Sequence, residues 1–129
     1  SGINKTAAGK FGIEVHCFIG DGDVKVKAKE SGMTRSAVSV EKAAGCYPEC
    51  IYAVGNAPTA LMRLYELIEE KKIRPALIIG VPVGFVNVVE AKELILRIGV
   101  PAIVARGRKG GSNIAAAICN ALLYEAGGR

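Results

Sequence analysis

Three glycine-bearing segments carry the groups best suited to holding an anionic ligand. The densest is Arg106–Ser112 (RGRKGGS), where Arg106, Arg108 and Lys109 place three cations in one turn. Gly107, Gly110 and Gly111 allow its backbone to approach another group closely. Ser112 is read as the cap of a following helix, whose first N–H groups and positive dipole end face the turn. Cations beside a helix N-terminus oppose that dipole. Local stability therefore does not explain them, whereas an anion seated in the turn does. Arg106, Arg108, Lys109, Gly110 and Ser112 are the candidate contacts; the plain alternative is a solvated basic turn.

The second segment, GNAPT at 55–59, offers uncharged donors and acceptors through Asn56 and Thr59, or else simply opens a helix. The third, GVPVGFVN at 80–87, is apolar. It reads as a pocket wall in which Gly84 lets a flat ligand come close, or as a buried connection. No segment fits GxxxxGK[ST], GxGxxG, the GxSxG elbow or HExxH. Asp21 and Asp23 read as a polar turn rather than a cation site. Metal ligation is not expected: the one histidine, His16, adjoins Cys17 in a strand-like run that turns neighbours to opposite faces. Cys17, Cys46, Cys50 and Cys119 read as reduced, mostly buried thiols, with a Cys46–Cys50 disulfide left open.

The elements that must position these segments alternate. A first strand is expected at Gly12–Ile19, with Glu14, His16 and Phe18 on one face. A short helix follows at Asp23–Ser31, and a second at Thr34–Ala44, ended by Gly45. The apolar runs IYAV (51–54), ALIIG (76–80) and AIVA (102–105) read as strands buried on both faces. Helices from about Ala57 to Lys71, Val88 to Ile98 and Ser112 to Ala126 follow them in turn. Pro58 suits a first helical turn. Leu61, Leu64, Tyr65 and Ile68 share one face, and Asn87 with Glu90 resembles a capping box. Strand–helix repeated three times with short links predicts an α/β fold. The expected form is a three-layer α/β/α sandwich on a mainly parallel sheet, of flavodoxin or Rossmann type. Ligands of such sheets bind beyond the carboxyl ends of the strands, where all three glycine segments fall, so one shared pocket is predicted.

At 129 residues the chain is read as a single domain, residues 1–129, with a flexible lead over 1–11. Half the residues are apolar, yet no run approaches a membrane span and the start lacks a secretory h-region. A cytoplasmic protein without membrane contact is expected. The net charge of +5 favours acidic partners, but four Tyr, three Phe and no Trp offer little for stacking bases, so nucleic acid is not expected.

GNAPTAL at 55–61, GVPVGFVNVVEAKE at 80–93 and RGRKGGSNIAAAICNAL at 106–122 together resemble the precorrin-8X (cobalt-precorrin-8) methylmutases, with Gly32-Met33-Thr34 as a further matching segment. The resemblance runs from about Gly12 to Leu123. It implies a flavodoxin-like fold, a homodimer and an isomerase of cobalamin biosynthesis that moves a methyl group between adjacent carbons of a corrinoid. It implies no separate cofactor; cobalt enters only as part of the substrate. The substrate is an apolar macrocycle rimmed by carboxylates, which suits the cations and glycine walls above. Asn56, Thr59, Gly84, Arg106, Arg108, Lys109, Gly110 and Ser112 are the expected substrate contacts. The family's proposed general acid is a histidine upstream of the strand matched to Gly12–Ile19. That role does not transfer to His16, and the catalytic residue stays unassigned. Only a short polar lead precedes Gly12, so a fragment or shortened homologue is expected. The alternative function is a corrinoid- or tetrapyrrole-binding protein without catalysis.

Overall fold

Among the described residues three short parallel strands form the sheet: β1 (Ile51–Val54), β2 (Leu77–Gly80) and β3 (Ala102–Val104), in the order β1-β2-β3. The computed structural model describes residues 3, 14–84, 88–107 and 109–126. Ile51 pairs with Leu77 and Ile78 with Ala102, so the strands end nearly level at Val54, Gly80 and Val104. This alignment places the connections that leave the three strands along one edge.

Among the described residues five helices accompany the sheet: α1 (Gly22–Ser31), α2 (Arg35–Cys46), α3 (Pro58–Glu69), α4 (Val88–Arg97) and α5 (Ser112–Ala126). Alternation along the strands sends Tyr52, Val54 and Ile78 to one face. There they meet Leu61, Leu64 and Leu67 of α3 and Ala91 and Ile95 of α4. Leu61 and Leu64 are fully buried, each contributing about 1.5–3 kcal/mol from burial. Ile79 and Val81 face the other way, onto Ala115, Ile118 and Cys119 of α5. The expected α/β/α layering is therefore present, but burial on both faces holds only for the central strand β2: Ile51 of β1 and Ile103 of β3 are exposed, because an edge strand has a neighbour on one side only. Helices α1 and α2 pack outside α3, around Val24, Ala28 and Val38 with Phe18 and Met33.

Among the described residues of the expected first strand, no strand forms. Residues 14–18 have no regular structure and Ile19 and Gly20 make a turn; Gly12 and Ile13 lie outside the described residues. Strand-like composition needs a neighbouring ladder, and this segment packs instead against helices, Phe18 joining the Val24 cluster. The two-residue alternation nevertheless survives locally. His16 bonds Glu14 at 3.0 Å and stacks on Phe18 with ring centroids 5.9 Å apart.

Local rules account for the helix ends. Gly32 (φ 74°) ends α1, its N–H donating to the Ala28 carbonyl. Thr34 caps α2, accepting from the Ala37 N–H at 3.1 Å. Helix α2 runs through Gly45 to Cys46 rather than stopping at Gly45, since that glycine is not in the left-handed region. In α3, Leu67 joins Leu61 and Leu64 inside, while Tyr65 and Ile68 are half-buried. The expected cap at Asn87 lies outside the described residues. Helix α5 takes Ser112 as its first residue, so the cap position passes to Gly111 (φ 128°), whose carbonyl accepts from the Ala115 N–H.

Candidate functional site

A cleft of about 730 Å³ opens where the starts of α2 and α3 meet the connection after β2. Pro58 and Thr59 form one side, Val83 and Gly84 another, and Gly32, Met33 and Thr34 a third. Helix α3 adds Met62, Arg63 and Glu66. Thr59 and Gly84 are thus brought together as the sequence suggests. The two threonines are joined directly, their hydroxyl oxygens 2.9 Å apart. Gly84 has φ 146°, a conformation that disfavours a side chain, and it leaves the cleft wall open beside Pro58. The ionisable groups here are already engaged. Arg63 donates to Glu41 at 2.9 Å and to Glu66 at 3.4 Å. Lys27, then Arg63, hold the Glu41 carboxyl below the usual carboxylate range, outweighing the opposing effect of burial.

The basic turn meets the other two connections through backbone contacts. The Gly111 N–H donates to the Val81 carbonyl at 2.7 Å. A Cβ on Gly110 would lie 2.7 Å from the Val81 carbonyl carbon and 2.9 Å from the Pro82 oxygen. One on Gly55 would lie 2.6 Å from the Ser112 Cα. Gly110 and Gly55 therefore allow chain to approach chain. The three segments do converge, but the residues lining the cleft include none from the turn and not Asn56, which is exposed. Arg106 is largely exposed and its Nε sits 3.4 Å from Glu93 of α4. Lys109 is exposed, and Arg108 lies outside the described residues.

Beneath the turn lies Lys92, a residue the sequence reading passed over. It is fully buried, and its Nζ donates to the Gly107 carbonyl at 2.9 Å and the Lys109 carbonyl at 2.7 Å. Burial pulls its pKa down from the ordinary lysine value. A signal was available: Val88, Ala91, Lys92 and Ile95 fall at i, i+3, i+4 and i+7, so the lysine occupies the buried stripe of α4. A second hollow, of about 430 Å³, is lined by Lys25, Lys29 and Arg35 and shares Met33 with the cleft.

Other candidates resolve simply. Lys42 donates to Asp21 at 2.7 Å and to Asp23 at 3.0 Å, so an ammonium occupies the place between those carboxylates. His16 stacks on Tyr47, 4.7 Å away, just past the C-terminal end of α2. Thr34, at the other end of that helix, touches the cleft. Twelve residues of helix, roughly 18 Å, separate the two places. All four thiols are free, but Cys17 and Cys46 are exposed rather than buried. Both lie where the chain leaves regular packing, in the 14–18 segment and at the end of α2. Among the described residues no three His, Cys, Asp or Glu side chains are grouped to hold a metal, and no helix is long and apolar enough to cross a membrane.

Comparison with known proteins gives one consistent answer. A profile of the precorrin-8X methylmutases matches residues 1–125. A cobalt-precorrin-8 methylmutase of Leptospira interrogans is 46% identical over 131 residues, covering 95% of this chain and 60% of that protein. Its counterpart in Salmonella typhimurium is 47% identical, covering 97% of this chain and 58% of that protein. The crystal structure of precorrin-8X methyl mutase from Thermus thermophilus superposes with a TM-score of 0.86 at 40% identity, covering 98% of this chain and 62% of that one. The chain thus spans about three-fifths of the length of these relatives. Over that span, sequence and fold agree that the chain belongs to the precorrin-8X methylmutase family.

Proposed function

We propose that this chain holds a corrinoid in the cleft beside Thr59 and Gly84, as the substrate-holding part of an isomerase of cobalamin biosynthesis. In that reaction a methyl group leaves one ring carbon of precorrin-8X and bonds to its neighbour. One C–C bond breaks, one forms, and the composition is unchanged. Protonating the macrocycle assists the migration, the proton is released afterwards, and the cleft keeps the ring in one geometry. No separate cofactor is consumed, and any cobalt is part of the substrate.

One observation carries this reading. Gly32–Thr34, Pro58–Thr59 and Val83–Gly84, far apart in the chain, come from the segments that resemble the family, and all of them line one cleft. In the same reading the cations of the turn, Arg106, Arg108 and Lys109, with Gly110, Ser112 and Asn56, meet the carboxylates at the rim of the ring. Exposed ion pairs such as Arg106–Glu93 contribute little, so Arg106 is free to exchange partner at small cost. A homodimer belongs to this reading as well. Exposed Ile51 and Ile103 on the sheet and Ile114 and Leu122 on α5 support it. A cytoplasmic setting, with no nucleic acid or membrane as partner, is also part of the proposal.

A corrinoid binder without turnover is the second reading. The observation favouring it is that Arg63 and Glu66, the ionisable groups among the cleft-lining residues, are bonded to each other and Arg63 also to Glu41. Incubation with precorrin-8X, followed by visible absorbance, separates the two readings. Conversion to the isomeric product supports the enzyme, and a saturable spectral shift without conversion supports the binder. The absence of any corrinoid binding sinks both.

A further inference from the structure

Lys92 brings an ionisable amine into the protein with no exposed surface at all. Such burial is costly unless the charge is partnered. Among the described residues no carboxylate pairs with it. Its partners are two backbone carbonyls, of Gly107 and Lys109, both in the basic turn. An ammonium has three donors and no acceptor, so it selects for carbonyls turned toward it.

That selection has a geometric result. Among the described residues there are no cis peptide bonds. In a planar trans peptide the N–H of one residue points opposite to the carbonyl of the residue before it. With the Lys109 carbonyl drawn onto Lys92, the Gly110 N–H is directed away from Lys92. The next N–H, of Gly111, is taken by the Val81 carbonyl at 2.7 Å. Gly107 (φ 87°) and Gly111 (φ 128°) supply the unusual backbone angles at either end.

We infer that Lys92 is a positioning residue: from the buried face of α4 it fixes the peptides of the basic turn, so that the turn offers the Gly110 N–H and its flanking cations to a carboxylate of the ligand. The ligand part of this inference rests on the corrinoid reading above. The fixing of the turn does not.

The test uses the full chain with Lys92→Met, which keeps an unbranched stem and removes the ammonium. Amide hydrogen exchange is read residue by residue, alongside titration with a polycarboxylate corrinoid. Ile95→Val serves as the control, loosening the same buried face without touching the turn. The expected result is exchange at Gly111 faster by about tenfold or more in Lys92→Met and unchanged in Ile95→Val, with β1 and β2 still protected. Corrinoid affinity is expected to fall about tenfold. Adding Arg106→Ala to Lys92→Met should then cost less than Arg106→Ala alone, because both act through one turn.

Unchanged exchange at Gly111 in Lys92→Met overturns the inference. Faster exchange in a protein whose wild type binds no corrinoid supports the fixing of the turn and overturns the corrinoid reading. If Lys92→Met does not fold, Lys92→Gln carries the same comparison, with an N–H donor one bond shorter and no charge. Failure of both to fold overturns the inference, since the lysine would then serve the core rather than the turn.

Discussion

Gly55 and Ser112 touch backbone to backbone: a Cβ on Gly55 would stand 2.6 Å from the Ser112 Cα and 3.0 Å from its nitrogen. Neither atom belongs to a flexible side chain that can swing aside. Gly55→Ala must therefore push the start of α5 away from the end of β1. A loss of about 2–3 kcal/mol is expected, read by urea unfolding of the variant against wild type.

Gly45 makes the opposite case. It lies inside α2 and nothing stands within 4 Å of where its Cβ would be. Gly45→Ala removes backbone freedom from the unfolded chain without a clash. The same urea measurement should show a gain of about 0.5–1 kcal/mol, or the lower end of that range if the last turn of α2 frays.

Glu41 links α1, α2 and α3 by accepting from Lys27 and Arg63, each at 2.9 Å. Its folded pKa is lowered, chiefly by the Lys27 hydrogen bond. The stability from the ionised carboxylate is therefore complete above the unfolded value of about 4.3, and it is lost as the pH falls through the folded value. Glu41→Gln should cost about 1–2 kcal/mol at neutral pH. Unfolding curves of variant and wild type should converge as the pH falls below the unfolded value and through the lower folded one; a constant gap at all pH values would contradict the assignment.

Thr59 contributes a hydroxyl to the cleft and shares it with Thr34. Thr59→Val keeps the shape and removes the hydroxyl, while Thr34 still caps α2 through the Ala37 N–H. Thermal stability should change by less than about 1 kcal/mol. Corrinoid affinity, by spectral titration, should fall by about three- to tenfold if the hydroxyl meets the ligand. Unaltered affinity would place the ring elsewhere.

The sheet and its helices were legible because each strand is a continuous apolar run bounded by proline or glycine. Each following helix carries its own stripe as well; Leu61 and Leu64 announce α3 unaided. The 14–18 segment misled because alternation records an extended chain, whereas a strand also requires a partner that composition cannot supply. Thr59 and Gly84 fall at the cleft because they lie on the connections that leave the strand ends. Met62, Arg63 and Glu66 were not legible, since which side of α3 overlooks the cleft depends on how α2 packs against it. Lys92 was missed for another reason. A lysine within EAKEL looks like surface, and its place on the buried stripe emerges only when Val88, Ala91 and Ile95 are counted with it.

The contacts of Gly55 with Ser112, and of Gly111 with Val81, also bear on the order in which the molecule is completed. β1 and α3 are synthesised before β2. Yet the edge on which the connections meet takes its final form only when the chain has reached the start of α5, nearly half the sequence after Gly55. That edge of the sheet therefore closes only after all three strands have been made. A nascent chain stopped before Ser112 would carry the sheet with its carboxyl edge still unsealed.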